Sequence, residues 1–110
     1  MEKEKLTVET GKRGTATYRN ASGRLHNPNG PAMVGEDGHK EYWINNKLHN
    51  PNGPAIVYAD DHKEYWVNGK LHNPNGPAIV YADGHKEYWI NNERLTEAEF
   101  KTWQAKQSAK

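Results

Sequence analysis

The sequence has no cysteine, which excludes a disulfide framework, a thiolate nucleophile and a cysteine-based zinc site, and fits a reducing compartment. It is also poor in apolar residues: they make up 34% of 110, with one phenylalanine and a mean hydropathy of −1.15. A thick aliphatic core is thereby excluded. No run is apolar enough to cross a bilayer, and the opening Met-Glu-Lys-Glu-Lys does not resemble a secretory signal. A soluble, cytoplasmic protein is the expectation, with no membrane partner. Charge of one sign is missing as well. Fifteen Lys and Arg stand against 14 Asp and Glu, a net charge of +1, without the excess that drives bulk phosphate binding. The length suits one domain and leaves no room for a second independent core.

Four tryptophans and six tyrosines stand out against this background, and they recur periodically. Residues 24–46, 47–69 and 70–92 align without gaps at a period of 23, and each carries Leu-His-Asn-Pro-Asn-Gly-Pro-Ala followed by His-Lys-Glu-Tyr-Trp. A degenerate unit at 14–23 precedes them, with Tyr18, Asn20, Gly23 and then Leu25 echoing the later units. Repetition on this scale marks an array in which each unit buries its face against its neighbours.

Within a unit, turn chemistry separates short strands. Asp83-Gly84 lies between Ile79–Ala82 and His85–Ile90, which reads as a two-residue type I′ hairpin. Asp37-Gly38 repeats it, and Asp60-Asp61 requires a positive φ at Asp61. Asn68-Gly69, Asn45-Asn46 and Asn91-Asn92 form a second turn of residues that accept left-handed geometry. Asn-Pro-Asn-Gly at 27–30, 50–53 and 73–76 sets a proline at the second position of a β-turn. The expected fold is mainly β: an elongated, meandering antiparallel sheet of about seven or eight strands with one C-terminal helix. Residues 1–13 read as a loose end, 14–95 as the array, and 96–110 as a capping helix and tail.

Pairing Ala82 with His85 puts Ala78, Val80, Glu87 and Trp89 on one face and Ile79, Tyr81, Tyr88 and Ile90 on the other. Across Asn68-Gly69, Trp66 faces Leu71 and Val67 faces Lys70. Thr96-Glu97-Ala98-Glu99 is a capping box, with Leu95 and Phe100 as a hydrophobic staple, so a helix is expected from about Glu97 to Gln107. Its Phe100 and Trp103 form one apolar patch that lids the last strand or a sheet face.

The period, the Ala-Asp-Gly-His-Lys-Glu-Tyr-Trp stretch at 82–89 and the Trp-Val-Asn-Gly-Lys turn at 66–70 resemble MORN repeats across roughly residues 14 to 92. The Leu-His-Asn-Pro-Asn-Gly-Pro-Ala element resembles arrays found in bacterial, phage and large-virus reading frames. The resemblance implies a non-catalytic scaffold for protein interaction or dimerisation, and it suits a phage-encoded inhibitor of a host protein. His62, Glu64 and Trp66 stand where the family has an aromatic, a glycine and a tryptophan.

The residues themselves point the same way. His26, His49 and His72 form one ladder and His39, His62 and His85 another. Their equivalents lie roughly 10 Å apart across a sheet, too far to share one ion. Glu41, Glu64 and Glu87 lie near histidines, but three near-identical units build no unique pocket of converging unlike groups. No catalytic residue, metal ligand or cofactor is assigned, and an enzyme is not expected. The aromatic stripes are the candidates. The tryptophans read as packing. Tyr42, Tyr58, Tyr65, Tyr81 and Tyr88, with Lys40, Lys63 and Lys86, read as an exposed face binding a protein partner. The alternative is single-stranded nucleic acid or a nucleotide on that same face, with bases stacking on tyrosine. A homodimer through the open first strand is a third outcome.

Overall fold

The computed structural model of the chain describes residues 5–109. In chain order its strands are β1 (Thr7–Thr10), β2 (Ala16–Arg19), β3 (Met33–Val34), β4 (Lys40–Glu41), β5 (Trp43–Ile44), β6 (Lys47–Leu48), β7 (Ile56–Val57), β8 (Lys63–Glu64), β9 (Trp66–Val67), β10 (Lys70–Leu71), β11 (Ile79–Val80), β12 (Lys86–Ile90) and β13 (Glu93–Leu95). Helix α1 (Glu97–Ser108) closes the described chain. Nine strands form one antiparallel sheet in the order β1-β2-β3-β4-β7-β8-β11-β12-β13, while β5 pairs with β6 and β9 with β10 as separate hairpins. The molecule is thus the expected meander with a C-terminal helix, a slab of 44 × 38 × 17 Å.

The asparagine turns behave as their residues dictate. Asn45, Asn46, Asn68, Asn91 and Asn92 all have φ between 48 and 68°, and Gly69 has 75°, so each pair forms a type I′ turn matched to strand twist. These turns also tie the end of each unit back to its start. Asn46 and Asn92 donate their backbone N–H to the carbonyls of Leu25 and Leu71, and their Oδ1 atoms accept the N–H of the same leucines at 2.8 Å. Gly69 makes the backbone bond to Leu48 but has no side chain to make the second.

The aspartate turns correct the expected register. Gly84 donates to the Tyr81 carbonyl at 2.9 Å and Tyr81 to the His85 carbonyl at 2.8 Å, so the loop has three residues, Ala82-Asp83-Gly84. A type I turn runs into a left-handed Gly84 (φ 92°), and Asp83 Oδ1 accepts the His85 N–H. Tyr81 therefore faces His85, and the strand pairs are Ile79 with Glu87 and Val80 with Lys86. One residue of slip moves side chains to the other face. Asp61, at φ 72°, fills the left-handed position in the middle unit.

The Asn-Pro-Asn-Gly-Pro loops are closed by their first asparagine. Asn50 Oδ1 accepts the Asn52 N–H at 3.1 Å and its Nδ2 donates to the Pro54 carbonyl at 3.0 Å, and Asn27 and Asn73 do the same. Each loop delivers a fully buried alanine: Ala32, Ala55 and Ala78 are 0% exposed. Their N–H groups bond to the carbonyls of Glu41, Glu64 and Glu87, and their carbonyls accept from Tyr18, Tyr42 and Tyr65. The equivalent bonding of Tyr18 shows the degenerate unit repeating the backbone pattern of the others.

At the ends, four residues of the segment read as a loose end form β1, paired to β2. Alternating Leu6 and Val8 beside a sheet edge account for the difference. At the other end, α1 carries the capping box: Thr96 accepts from the Glu99 N–H, and Glu99 accepts from the Thr96 N–H. By the period, Thr96–Phe100 stands where a fourth Asn-Pro-Asn-Gly-Pro loop would fall. Buried Phe100 packs on Tyr88 with ring centroids 4.8 Å apart.

Candidate functional site

Residues paired across antiparallel strands share a face, so the register divides the candidate residues. Val34, Lys40, Val57, Lys63, Val80 and Lys86 lie on one face through successive pairs. His39, Glu41 and Trp43 are tied together on the opposite face, which places Tyr42 with the lysines; the same holds for Tyr65. Tyr88, two residues from Lys86 along β12, joins them. Tyr58 and Tyr81 do not. They sit on the glutamate face, Tyr58 between His39 and His62 and Tyr81 between His62 and His85, with centroids 4.8–6.1 Å apart. The single Tyr/Lys face expected from the sequence is therefore two surfaces, split by the three-residue turns.

The glutamate face is a ladder of satisfied bonds. Glu41 accepts from Trp43 Nε1 at 2.8 Å and His39 Nε2 at 2.6 Å, and Glu64 from Trp66 at 2.9 Å and His62 at 3.0 Å. The i, i+2, i+4 spacing of His, Glu and Trp puts all three on one side of a strand. In the last unit Glu87 accepts from the Tyr81 hydroxyl and from Trp89, and these bonds, the tyrosine's foremost, hold its carboxyl below the usual range. The same bond raises the Tyr81 phenol, and burial, with Glu64 and Glu41 next, raises Tyr58. Glu41, Glu64 and Glu87 are thus each matched to two donors, whereas Tyr58 meets the face through ring contacts with His39 and His62. Among the described residues no group of three or more His, Cys, Asp or Glu could hold a metal ion.

The second histidine ladder is structural too. His26, His49 and His72 accept the backbone N–H of Asn45, Asn68 and Asn91 at their Nδ1 atoms, at 3.0, 2.9 and 3.1 Å. An acceptor Nδ1 places the ring proton on Nε2. Burial lowers the pKa of His72.

The tyrosine face is open, and repeated grooves cross it. A groove of about 500 Å³ between the loops at 27–30 and 50–52 contains Tyr42, Ile44 and His49. The next, about 630 Å³, lies between the loops at 50–53 and 73–77 and contains Tyr65, Val67 and His72. At the third position α1 intervenes: Gln104 donates to the Pro74 carbonyl at 3.1 Å, Phe100 covers Tyr88, and the Tyr88 hydroxyl donates to Glu97. Burial, with that bond next, raises the Tyr88 phenol.

Charge is sorted between the faces. Ile44 pairs with Lys47, Val67 with Lys70 and Ile90 with Glu93, so the tyrosine face carries five lysines and one glutamate at its paired strand positions. Lys47, Lys70 and the loop walls were not among the candidate binding residues, although the sequence already set Lys70 opposite Val67. The type I′ turns, which place each lysine opposite a β-branched residue, are the signal that identifies them.

The chain matches no family model, and no curated protein or solved structure matches it. Among the described residues no helix is long and apolar enough to cross a membrane.

Proposed function

We propose that the chain is a non-enzymatic interaction module that binds an acidic segment of a protein partner across its tyrosine face. The carrying observation is the pair of equivalent grooves at Tyr42 and Tyr65, on the sheet face that also carries Lys40, Lys47, Lys63 and Lys70, while the third position is closed by the chain's own helix. Tyrosine offers apolar contact area with a polar tip at little entropic cost, and lysine stems extend that area while steering carboxylates. The resemblance to MORN repeats supports a scaffold or inhibitor role, as an analogy of repeat type. The glutamate face, where each of the three carboxylates already accepts two side-chain donors, suits structure better than recognition.

A second reading, single-stranded nucleic acid, is favoured by the same sorting of lysines beside two half-buried tyrosines. One experiment separates the two readings. Tagged full-length chain is used for affinity capture with and without nuclease, alongside Tyr42→Ala/Tyr65→Ala and, as the opposite-face control, Tyr81→Phe. The proposal expects a nuclease-resistant protein partner at fixed stoichiometry, kept by Tyr81→Phe and lost with the double variant. A partner kept by the double variant overturns the assignment of the face. Nucleic acid alone, lost on nuclease treatment and with affinity falling as salt rises, establishes the second reading.

A further inference from the structure

We propose that β1 is the interface of a symmetric dimer of this chain, in which two copies of residues 5–9 pair antiparallel about Thr7. The inference is independent of the tyrosine face and starts from the two ends of the sheet. Strand β13 is short, presents Glu93 and Arg94, and leads straight into α1. Strand β1 has no such protection: all four of its residues are exposed, Val8 is 49% exposed, and among the described residues no strand pairs with its outer side. An exposed edge of alternating residues is a template for another strand.

Backbone bonding shows which groups face outward. Tyr18 donates its N–H to the Ala32 carbonyl and accepts the His26 N–H, so both its backbone groups point away from β1. Val8, directly opposite Tyr18, therefore turns its own N–H and C=O outward, and alternation turns those of Leu6 and Thr10 the same way. A two-fold antiparallel pairing uses these groups when centred on Thr7, Val8 or Glu9. Centring on Glu9 sets two like charges face to face. Centring on Val8 sets Thr7 against Glu9 and Lys5 against Gly11, with no charge matched. Centring on Thr7 sets Lys5 against Glu9 twice, once at each end, and Leu6 against Val8 twice.

That register satisfies every demand of the edge. Glu9 is already held by Arg19 Nε at 2.7 Å through Oε1, so the arriving Lys5 meets an oriented carboxylate. Leu6 and Val8 share the face of Tyr18, so the two copies build one apolar patch from exposed Val8 and half-buried Leu6. Paired residues keep their face, so the tyrosine faces of both copies lie on the same side of one continuous sheet.

The test is the mass of the full chain by light scattering and sedimentation over a range of concentrations. A mass rising from monomer to dimer is expected. Val8→Pro removes an N–H that the monomer does not use, so it should leave the circular dichroism intact and abolish the dimer. Lys5→Glu and Glu9→Lys should each raise the dissociation constant about tenfold, and the double reversal should restore it. Thr7→Cys checks the register, since facing non-hydrogen-bonded positions sit ~4.5 Å apart, within reach of a disulfide. Mild oxidation should link this variant into a covalent dimer faster than Val8→Cys or Glu9→Cys. A strictly monomeric mass, a dimer that survives Val8→Pro, or preferred cross-linking at position 8 or 9 overturns the proposal.

Discussion

The hydroxyl of Tyr81 donates to Glu87 Oε2 at 2.7 Å, taking in the last unit the place that His39 and His62 hold against Glu41 and Glu64. In every unit a partly buried glutamate accepts from a tryptophan indole and one further ring. The carboxylate is thus the joint between a strand's own tryptophan and the aromatic ladder beside it, and it decides where the array is vulnerable.

Replacing Glu64 with Leu removes both acceptor oxygens, so Trp66 Nε1 and His62 Nε2 lose their partner on a part-buried face. Glu64→Leu should lower stability by about 1–3 kcal/mol in urea denaturation, with tryptophan fluorescence reporting the altered site. A midpoint unchanged from wild type would show the triad to be dispensable.

Tyr81→Phe removes the largest cause of the low Glu87 carboxyl pKa. A depressed carboxylate pKa contributes stability that is present above the ordinary 4.5 and is lost as pH falls through the folded value. The variant should therefore show Glu87 titrating closer to its ordinary value by NMR and a shallower loss of stability below pH 4.5.

His72 titrates in a different window. Burial disfavours its charged form, so between its ordinary value of 6.5 and its lower folded value the unfolded chain binds more protons. Stability should be full above pH 6.5 and decline as pH falls below it, because a protonated Nδ1 can no longer accept from Asn91. His72→Gln should flatten that part of the pH–stability curve, although its overall stability drops with the lost bond.

Gly69 is the one turn residue of its kind without the side-chain bond that Asn46 and Asn92 make. Its φ of 75° is one asparagine adopts, and a Cβ there would meet Lys47 carbons at an ordinary 3.6 Å. Gly69→Asn should add a bond to the Leu48 N–H and raise stability by about 0.5–1.5 kcal/mol. A lower melting temperature would mean the middle turn cannot accept the side chain.

The period, the asparagine turns and the capping box were legible in the sequence because each rests on local chemistry: left-handed φ at Asn45 and Asn46, and Thr96 reaching Glu99. The aspartate hairpin was legible as a hairpin but not in register. Asp83-Gly84 serves a two-residue turn and the end of a three-residue loop equally well, and the choice falls to the type I turn that Ala82 enters. That single step exchanged the partners of Tyr58 and Tyr81 and turned an expected Tyr/Lys surface into two. The grooves were hidden for another reason: they lie between loops 23 residues apart, and no local pattern describes a space.

Tyr42 and Tyr65 sit two strands apart, roughly 10 Å, which is close to the length of three residues of extended chain. The array is therefore a ruler as much as a surface. Under the proposed function, a segment lying across the strands would meet its second tyrosine and loop wall three residues after the first, so anchors at that spacing would be matched in phase, and a one-residue deletion between them would put the second out of step.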